Sequence, residues 1–236
     1  MTRVRNTAVS NMSVGLLPFL VLVVSTTCPD ARAADETRPD DKGAKPKGIE
    51  LDIKKREVRV DATACLGSGI LEYVVCLPNT FEHESIFCIQ CRPATLHLYL
   101  LAIGIEQCAF VKGEDWRATA LKNKKSHVNI EVEYEKDGKK QRRPIGEFLV
   151  NREERDGSVE GTWIFTGSYL FKKNGKRFYA ADVKGAVVGL CTEGTSVLQY
   201  SEPLGLAYRG DDKGMEVDKD TIPALGTKVQ LIFSNR

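Results

Sequence analysis

The chain is poor in the residues that usually carry catalysis and metal binding. Of 236 residues only three are histidine, at positions 83, 97 and 127, and only two are tryptophan. No G-x-S-x-G elbow occurs, which removes the usual way of exposing a catalytic serine. A C-x-x-C pair, Cys88 and Cys91, has no second copy, so a four-cysteine zinc site is not spelled out locally. An excess of one charge is missing too, with 34 Lys and Arg against 32 Asp and Glu. That balance argues against a nucleic-acid partner held by bulk charge. It also gives no reason to expect a strong attraction to a membrane surface. There is no internal repeat. Past residue 24 no apolar run approaches the ~20 residues that a spanning helix needs.

What is present begins with an address. Arg3 and Arg5 precede an apolar run from Val14 to Val24, and Ala31-Arg32-Ala33 has the small-x-small form of a cleavage site. Residues 1–33 therefore read as a secretory signal peptide, which predicts a periplasmic or extracellular protein with no transmembrane segment once it is cleaved. Ser25-Thr26-Thr27 is a poor lipobox for Cys28, so no lipid anchor is expected. Residues 34–48 are rich in Asp, Lys, Pro and Gly and read as a flexible linker. A single domain follows over 49–236. It keeps six cysteines, Cys65, Cys76, Cys88, Cys91, Cys108 and Cys191. Export permits disulfides, and an even count fits full pairing, but six cysteines allow about 15 connectivities.

Alternating apolar residues mark strands. Ile49, Leu51 and Ile53 alternate, Val58 and Val60 continue, and Val128, Ile130, Val132 and Tyr134 alternate with polar partners. Gly67-Ser68-Gly69 predicts a tight hairpin into a strand over 71–77. In that register Cys65 and Cys76 are not opposite one another, so no bridge between them is expected. A strand over 84–90 follows. Asp137-Gly138 and Asn174-Gly175 are further hairpin signals. Pro93 suits the first turn of a helix and Gly104 its end, with Leu96, Leu100 and Ile103 as its stripe. These elements predict an α+β fold: mostly antiparallel β-sheet with one main α-helix over about residues 93–103.

The stretch His83-Glu84-Ser85, Arg92-Pro93, Leu96-His97 and Ile103-Gly104 resembles the YdjY-like domain of exported bacterial proteins of planctomycete type. The resemblance takes in Arg56-Glu57-Val58 and Leu71-Glu72 upstream. Downstream it includes Trp163-Ile164-Phe165-Thr166-Gly167-Ser168, Tyr179-Ala180-Ala181-Asp182, Ile222-Pro223 and Gly226-Thr227. It implies no activity; for some relatives it implies an iron–sulfur association. Two places depart from the family pattern. Cys88 and Cys91 stand where relatives have apolar or small residues, and Leu190 to Gly194 replaces an Asn-Phe-Pro-like step. A function that needs Cys88 and Cys91 is thus peculiar to this chain.

Several constellations deserve weighing. His83, Glu84 and Ser85 are the residue types of a hydrolase, but along a strand His83 and Ser85 face one way and Glu84 the other. Their plainer role is to fix a turn. His83 and His97 invite a metal, yet a strand of that length holds their rings apart. A histidine beside an apolar helix stripe is more often a hydrogen-bonded packing residue. Cys88, Cys91 and His97 meet near a strand-to-helix corner, which suits a thiol–disulfide couple or part of a zinc or iron–sulfur site. A local disulfide or simple burial explains the cysteines more economically. The basic group Lys139, Lys140, Arg142 and Arg143 faces Glu131, Glu133 and Glu135 across a hairpin, so charge compensation accounts for it. No catalytic residue and no cofactor are assigned. The leading expectation is an exported, non-enzymatic binding or assembly module whose partner is an envelope protein or polymer. The alternatives are a thiol or metal redox protein using Cys88 and Cys91, and a hydrolase using the His83–Ser85 region.

Overall fold

Local alternation sets the first strands, and pairing between distant parts of the chain then closes them into a barrel. The computed structural model describes residues 46–110, 116–153, 159, 161–190, 194–202 and 214–235. The expected signal peptide, most of the expected linker and Cys191 lie outside the described residues. In chain order the strands are β1 (Ile49–Asp52), β2 (Glu57–Ala64), β3 (Ile70–Leu71), β4 (Tyr73–Cys76) and β5 (Phe87–Ile89). Helix α1 (Pro93–Ala102), α2 (Trp116–Lys122), β6 (His127–Lys136), β7 (Lys139–Pro144), β8 (Leu149–Asn151) and β9 (Trp163–Phe165) follow. The rest are β10 (Leu170–Lys173), β11 (Lys176–Tyr179), α3 (Ala180–Lys184), β12 (Ala186–Gly189), β13 (Leu198–Tyr200), β14 (Met215–Val217) and β15 (Lys228–Asn235).

Strands β2, β15, β6, β9, β13, β12, β4 and β5 pair in that order, and β5 pairs back onto β2. The sheet is an eight-stranded closed barrel. This overturns the expected α+β fold built around one main helix: the protein is mostly β, and its three helices are small. Helix α1 exists, but as an attachment whose Leu96 and Leu100 join the core of the barrel. The reason for the difference is topological. Most closing strands have only three or four residues, too few to show a period. Two of the ring's pairings, β4 with β5 and β12 with β13, are parallel and join segments without a hairpin signal between them.

The barrel interior is packed solid. Val58, Val60, Phe87, Ile130, Val132, Phe165, Leu198, Leu231 and Phe233 are buried in one cluster. An eight-stranded barrel is narrow enough for side chains to fill. Small sheets decorate it: β10 and β11 form a two-stranded sheet, and β3, β14 and β8 form a third sheet.

The hairpin expected between β2 and the 71–77 strand does not form. Beyond Gly67 the chain swings away, and β4 pairs with β12 and β5 instead. The expected strand over 84–90 is also shorter. Residues Glu82–Glu84 make a 3-10 turn, because the Glu82 carboxylate accepts from the Asn79 and Thr80 N–H groups at 2.9 and 3.1 Å and extends the preceding turn.

Candidate functional site

Two clusters gather the residues singled out in the sequence. The first is a polar clasp between α1 and the hairpin β10–β11 with α3. Arg92 donates to the Asp182 carboxylate from Nε at 3.1 Å and from Nη2 at 2.6 Å. The other Asp182 oxygen accepts from Ala94 N–H at 2.8 Å, which satisfies an otherwise free donor in the first turn of α1. One helical turn on, His97 Nδ1 lies 3.0 Å from Gly167 O and 2.9 Å from the Tyr179 hydroxyl. Tyr179 itself donates to Gly167 O at 2.9 Å. Gly167 O can only accept, so Nδ1 carries the proton of a neutral ring. Burial pushes His97 below its ordinary value, with the Gly167 bond opposing. Burial likewise raises Tyr179.

The backbone at Gly167 and Ser168 is left-handed, with φ of 79° and 51°. That turn sends Ser168 Oγ to donate to Thr195 O at 2.6 Å and to accept from Ala181 N–H at 3.2 Å. The short family motifs around Arg92, His97, Gly167-Ser168 and Tyr179–Asp182, far apart in sequence, therefore converge on one clasp. Sequence spacing had no means of showing this convergence.

Exposed apolar side chains crown the clasp. Leu98 and Leu101 on α1, Tyr169, Leu170 on β10, and Val183 on α3 are five of the eight large hydrophobic residues exposed among the described residues. Beside them the hairpin carries Lys172, Lys173, Lys176 and Arg177, and Lys184 ends α3. The hairpin register sets Lys172 opposite Arg177 and Lys173 opposite Lys176. Among the described residues no carboxylate pairs with Lys172, Lys173 or Arg177.

The second cluster lies outside the core under the 3-10 turn. Cys76 and Cys88 are register partners on β4 and β5. Cys65, just past β2, donates its N–H to Ile86 O at 2.9 Å and its thiol to Ser85 O at 3.1 Å. Cys65 and Cys76 are both free, although the β2–β4 hairpin assumed in setting them apart does not form. The Cys76 thiol and burial push the Cys65 thiol up. The Cys65 thiol, the Ser85 hydroxyl and the Phe81 N–H draw Cys76 down against its burial. Cys88 is pushed up to about 12 by burial and by Cys76.

The other proposed groupings are not brought together. Cys91 packs in the main apolar core and is pushed up to about 12 by burial, while Cys88 stands with the outer thiols. The C-x-x-C is thus split between two environments, because a buried Ile89 sits between an outward Cys88 and the corner at Cys91. The five described cysteines are all free, so the expected disulfides are absent among the described residues. His83 is largely exposed and its Nε2 stands 3.7 Å from the buried Glu84 carboxylate. Ser85 is fully buried, and its Oγ has no partner of ordinary hydrogen-bond geometry. Those three residues fix a turn and do not form a nucleophile–base pair. His97 sits in the clasp, away from them. Among the described residues no group of three or more His, Cys, Asp or Glu converges as metal ligands.

No curated protein and no solved structure matches the chain. The YdjY domain matches residues 49–234, from the start of β1 to within one residue of the end of β15, and the chain belongs to the YdjY family.

Proposed function

We propose that this chain is an exported, non-enzymatic binding module of the cell envelope that docks on an anionic lipid surface through the face formed by α1, α3 and the β10–β11 hairpin. The observation that carries this reading is the like-charged rung of Lys172 opposite Arg177, neither paired with a carboxylate among the described residues, on a hairpin that opens with the exposed Leu170. Like charges directly across a strand pair are destabilising. An anionic surface reverses that sign. The leucines project from the protein, Leu98 with 64% and Leu170 with 59% of its surface exposed. Apolar side chains that protrude beside lysines suit the boundary between headgroups and acyl chains. The near-zero net charge of the whole chain averages over this local excess.

A solid barrel interior and the absence of a convergent catalytic set among the described residues support binding over turnover. The test is sedimentation with vesicles. The protein should pellet with phosphatidylglycerol vesicles at low salt, remain in solution with phosphatidylcholine, and be released as salt rises past the range where the Debye length is about 10 Å. Leu98→Ser with Leu170→Ser should weaken binding without unfolding the barrel. Failure to bind phosphatidylglycerol at low salt, or equal binding by the double variant, overturns the lipid surface as the occupant.

A further inference from the structure

We propose that the cleft between β7 and β9 is a second binding site, which takes a short extended peptide carrying a lysine or arginine. It shares no residue with the docking face. The cleft holds about 530 Å³ and is lined by β6, by the 3-10 turn Ile145–Phe148 and by the chain on either side of β9 and β13. That volume falls in the usual range of ligand sites. Its walls are fixed by close backbone packing: a Cβ at Gly146 would stand 2.5 Å from Val159 O, and one at Gly161 would enter the Tyr200 ring.

The first feature is a rung missing from the sheet. Along one edge of β6, β9 pairs as far as Val128 and β7 takes over at Glu131. Among the described residues no strand pairs with Asn129 or Ile130 on that edge. In an antiparallel ladder every second residue turns its N–H and C=O to the same side. The two-residue turn Asp137-Gly138 closes on the pair Lys136 and Lys139, so Lys136, Tyr134, Val132 and Ile130 all turn toward the β7 edge. The other end of the gap agrees. Ser201 N–H donates to Thr162 O at 2.9 Å, which turns Thr162 toward the β13 side and Trp163 toward Val128, two residues before Ile130. The Ile130 N–H therefore points into the cleft. β7 supplies no rung for it, because the chain bends into the 3-10 turn at Ile145. A peptide carbonyl laid across the gap accepts from this N–H, as an added strand would.

The second feature is charge. Glu147 and Glu202 line the cleft, and among the described residues no Lys, Arg or His does. Glu147 is already engaged by Arg143 Nε at 3.1 Å. Glu202 accepts from the Ser201 hydroxyl at the long distance of 3.4 Å. That hydroxyl also accepts from Thr162 N–H at 3.2 Å, which ties the Glu202 end of the cleft to the start of β9. The Glu202 carboxylate is thus the one left for a cation on the ligand. Pro144 and Val159 add apolar surface that suits the methylene stem of such a side chain. A sugar ring would find no aromatic platform, because Trp163 is only 4% exposed and its ring is spent on Tyr200, 5.1 Å away. Amide acceptor and cation together describe a basic peptide.

The test is a titration of the full chain, followed at the Ile130 amide by NMR. The probes are acetyl-Gly-Lys-Gly-amide and the same peptide with norleucine in place of lysine, which keeps the stem and removes the charge. Both should shift the Ile130 amide saturably, and the lysine peptide should bind roughly fivefold more tightly at low salt. Glu202→Gln should erase that difference and leave the norleucine peptide unchanged. Glu202 is exposed, so this variant should fold, and a near-wild-type melting temperature checks it. No saturable shift of the Ile130 amide with either peptide overturns the site. A lysine preference that survives in Glu202→Gln, or that is absent from wild type, overturns the role given to Glu202. A shift of Ile130 with the trimer of N-acetylglucosamine but with neither peptide makes the occupant a sugar and overturns the peptide.

Discussion

Two hairpins in this protein have nearly the same plan and opposite electrostatics. β6–β7 turns at Asp137-Gly138 and β10–β11 at Asn174-Gly175, and all four turn residues have left-handed backbones with φ between 51° and 77°. Each second strand is basic. In β6–β7, apart from the Lys136–Lys139 rung beside the turn, the cations meet carboxylates: Arg142 lies 2.6 Å from Glu131 and 3.2 Å from Glu57, and Lys140 lies 2.7 Å from Glu133. In β10–β11 the rungs set cation against cation. The first hairpin also belongs to the barrel through β6, whereas the second pairs with no other strand among the described residues. A basic cluster in sequence is therefore ambiguous. Its meaning depends on what stands across the ladder.

The largest expected effect separates the two hairpins by charge removal. Changing Lys172, Lys173 and Arg177 together to Gln should weaken binding to phosphatidylglycerol vesicles roughly a hundredfold, at about 1 kcal/mol for each cation near an anionic surface. The matching change at Lys140, Arg142 and Arg143 should leave vesicle binding within about threefold while lowering stability, because those charges already have carboxylate partners. Equal losses from the two triple variants, read by co-sedimentation, would erase the distinction.

Next in size is a single change on each hairpin. Arg142→Gln removes the cation shared by Glu57 and Glu131 and should cost roughly 1 kcal/mol in urea unfolding, less at high salt. Arg177→Gln removes a like-charge rung and should leave stability unchanged or raise it by about 0.2–1 kcal/mol. A destabilisation by Arg177→Gln comparable to that of Arg142→Gln would mean that the second hairpin is also compensated in the folded protein.

The hairpin turns were legible in the sequence because Asp-Gly and Asn-Gly state their backbone requirement locally. So were the alternating strand β6 and the limits of α1, through Pro93 and Gly104. Barrel closure was not. It depends on β5, three residues long, accepting β2 on one side and β4 on the other, and no local period encodes that choice. The site residues divide the same way. His97 could be named from its place beside the Leu96 and Leu100 stripe, but its partners Gly167 and Tyr179 lie 70 and 82 residues away. Cys65 and Cys76 were set apart by assuming a hairpin at Gly67-Ser68-Gly69. That hairpin does not form, yet both thiols are free.

Acid supplies the smallest and finest separation of the two hairpins. The base of β10–β11 rests on His97 through the Tyr179 hydroxyl, and burial holds this histidine below its ordinary value of 6.5. The unfolded chain then binds the proton first. The stability that the neutral ring contributes is complete above about pH 6.5 and is lost as pH falls from there through the folded value. Beside the other hairpin, Glu57 of β2 is pulled below its ordinary 4.5 by Arg59 and Arg142, which overcome the cost of burial. Its contribution is intact above about pH 4.5 and is lost only as pH falls through its own lower folded value. Between pH 7 and 5 the melting temperature should therefore drop through His97 alone of these two groups. His97→Gln keeps an amide to donate to Gly167 O but has no proton to gain, so its melting temperature should be flatter over that window. Amide exchange sharpens the reading: in wild type at pH 5 the β10–β11 amides should open before those of β6–β7. An unchanged slope in His97→Gln between pH 7 and 5 would remove the clasp as the acid-sensitive element and leave the two hairpins distinguished by charge alone.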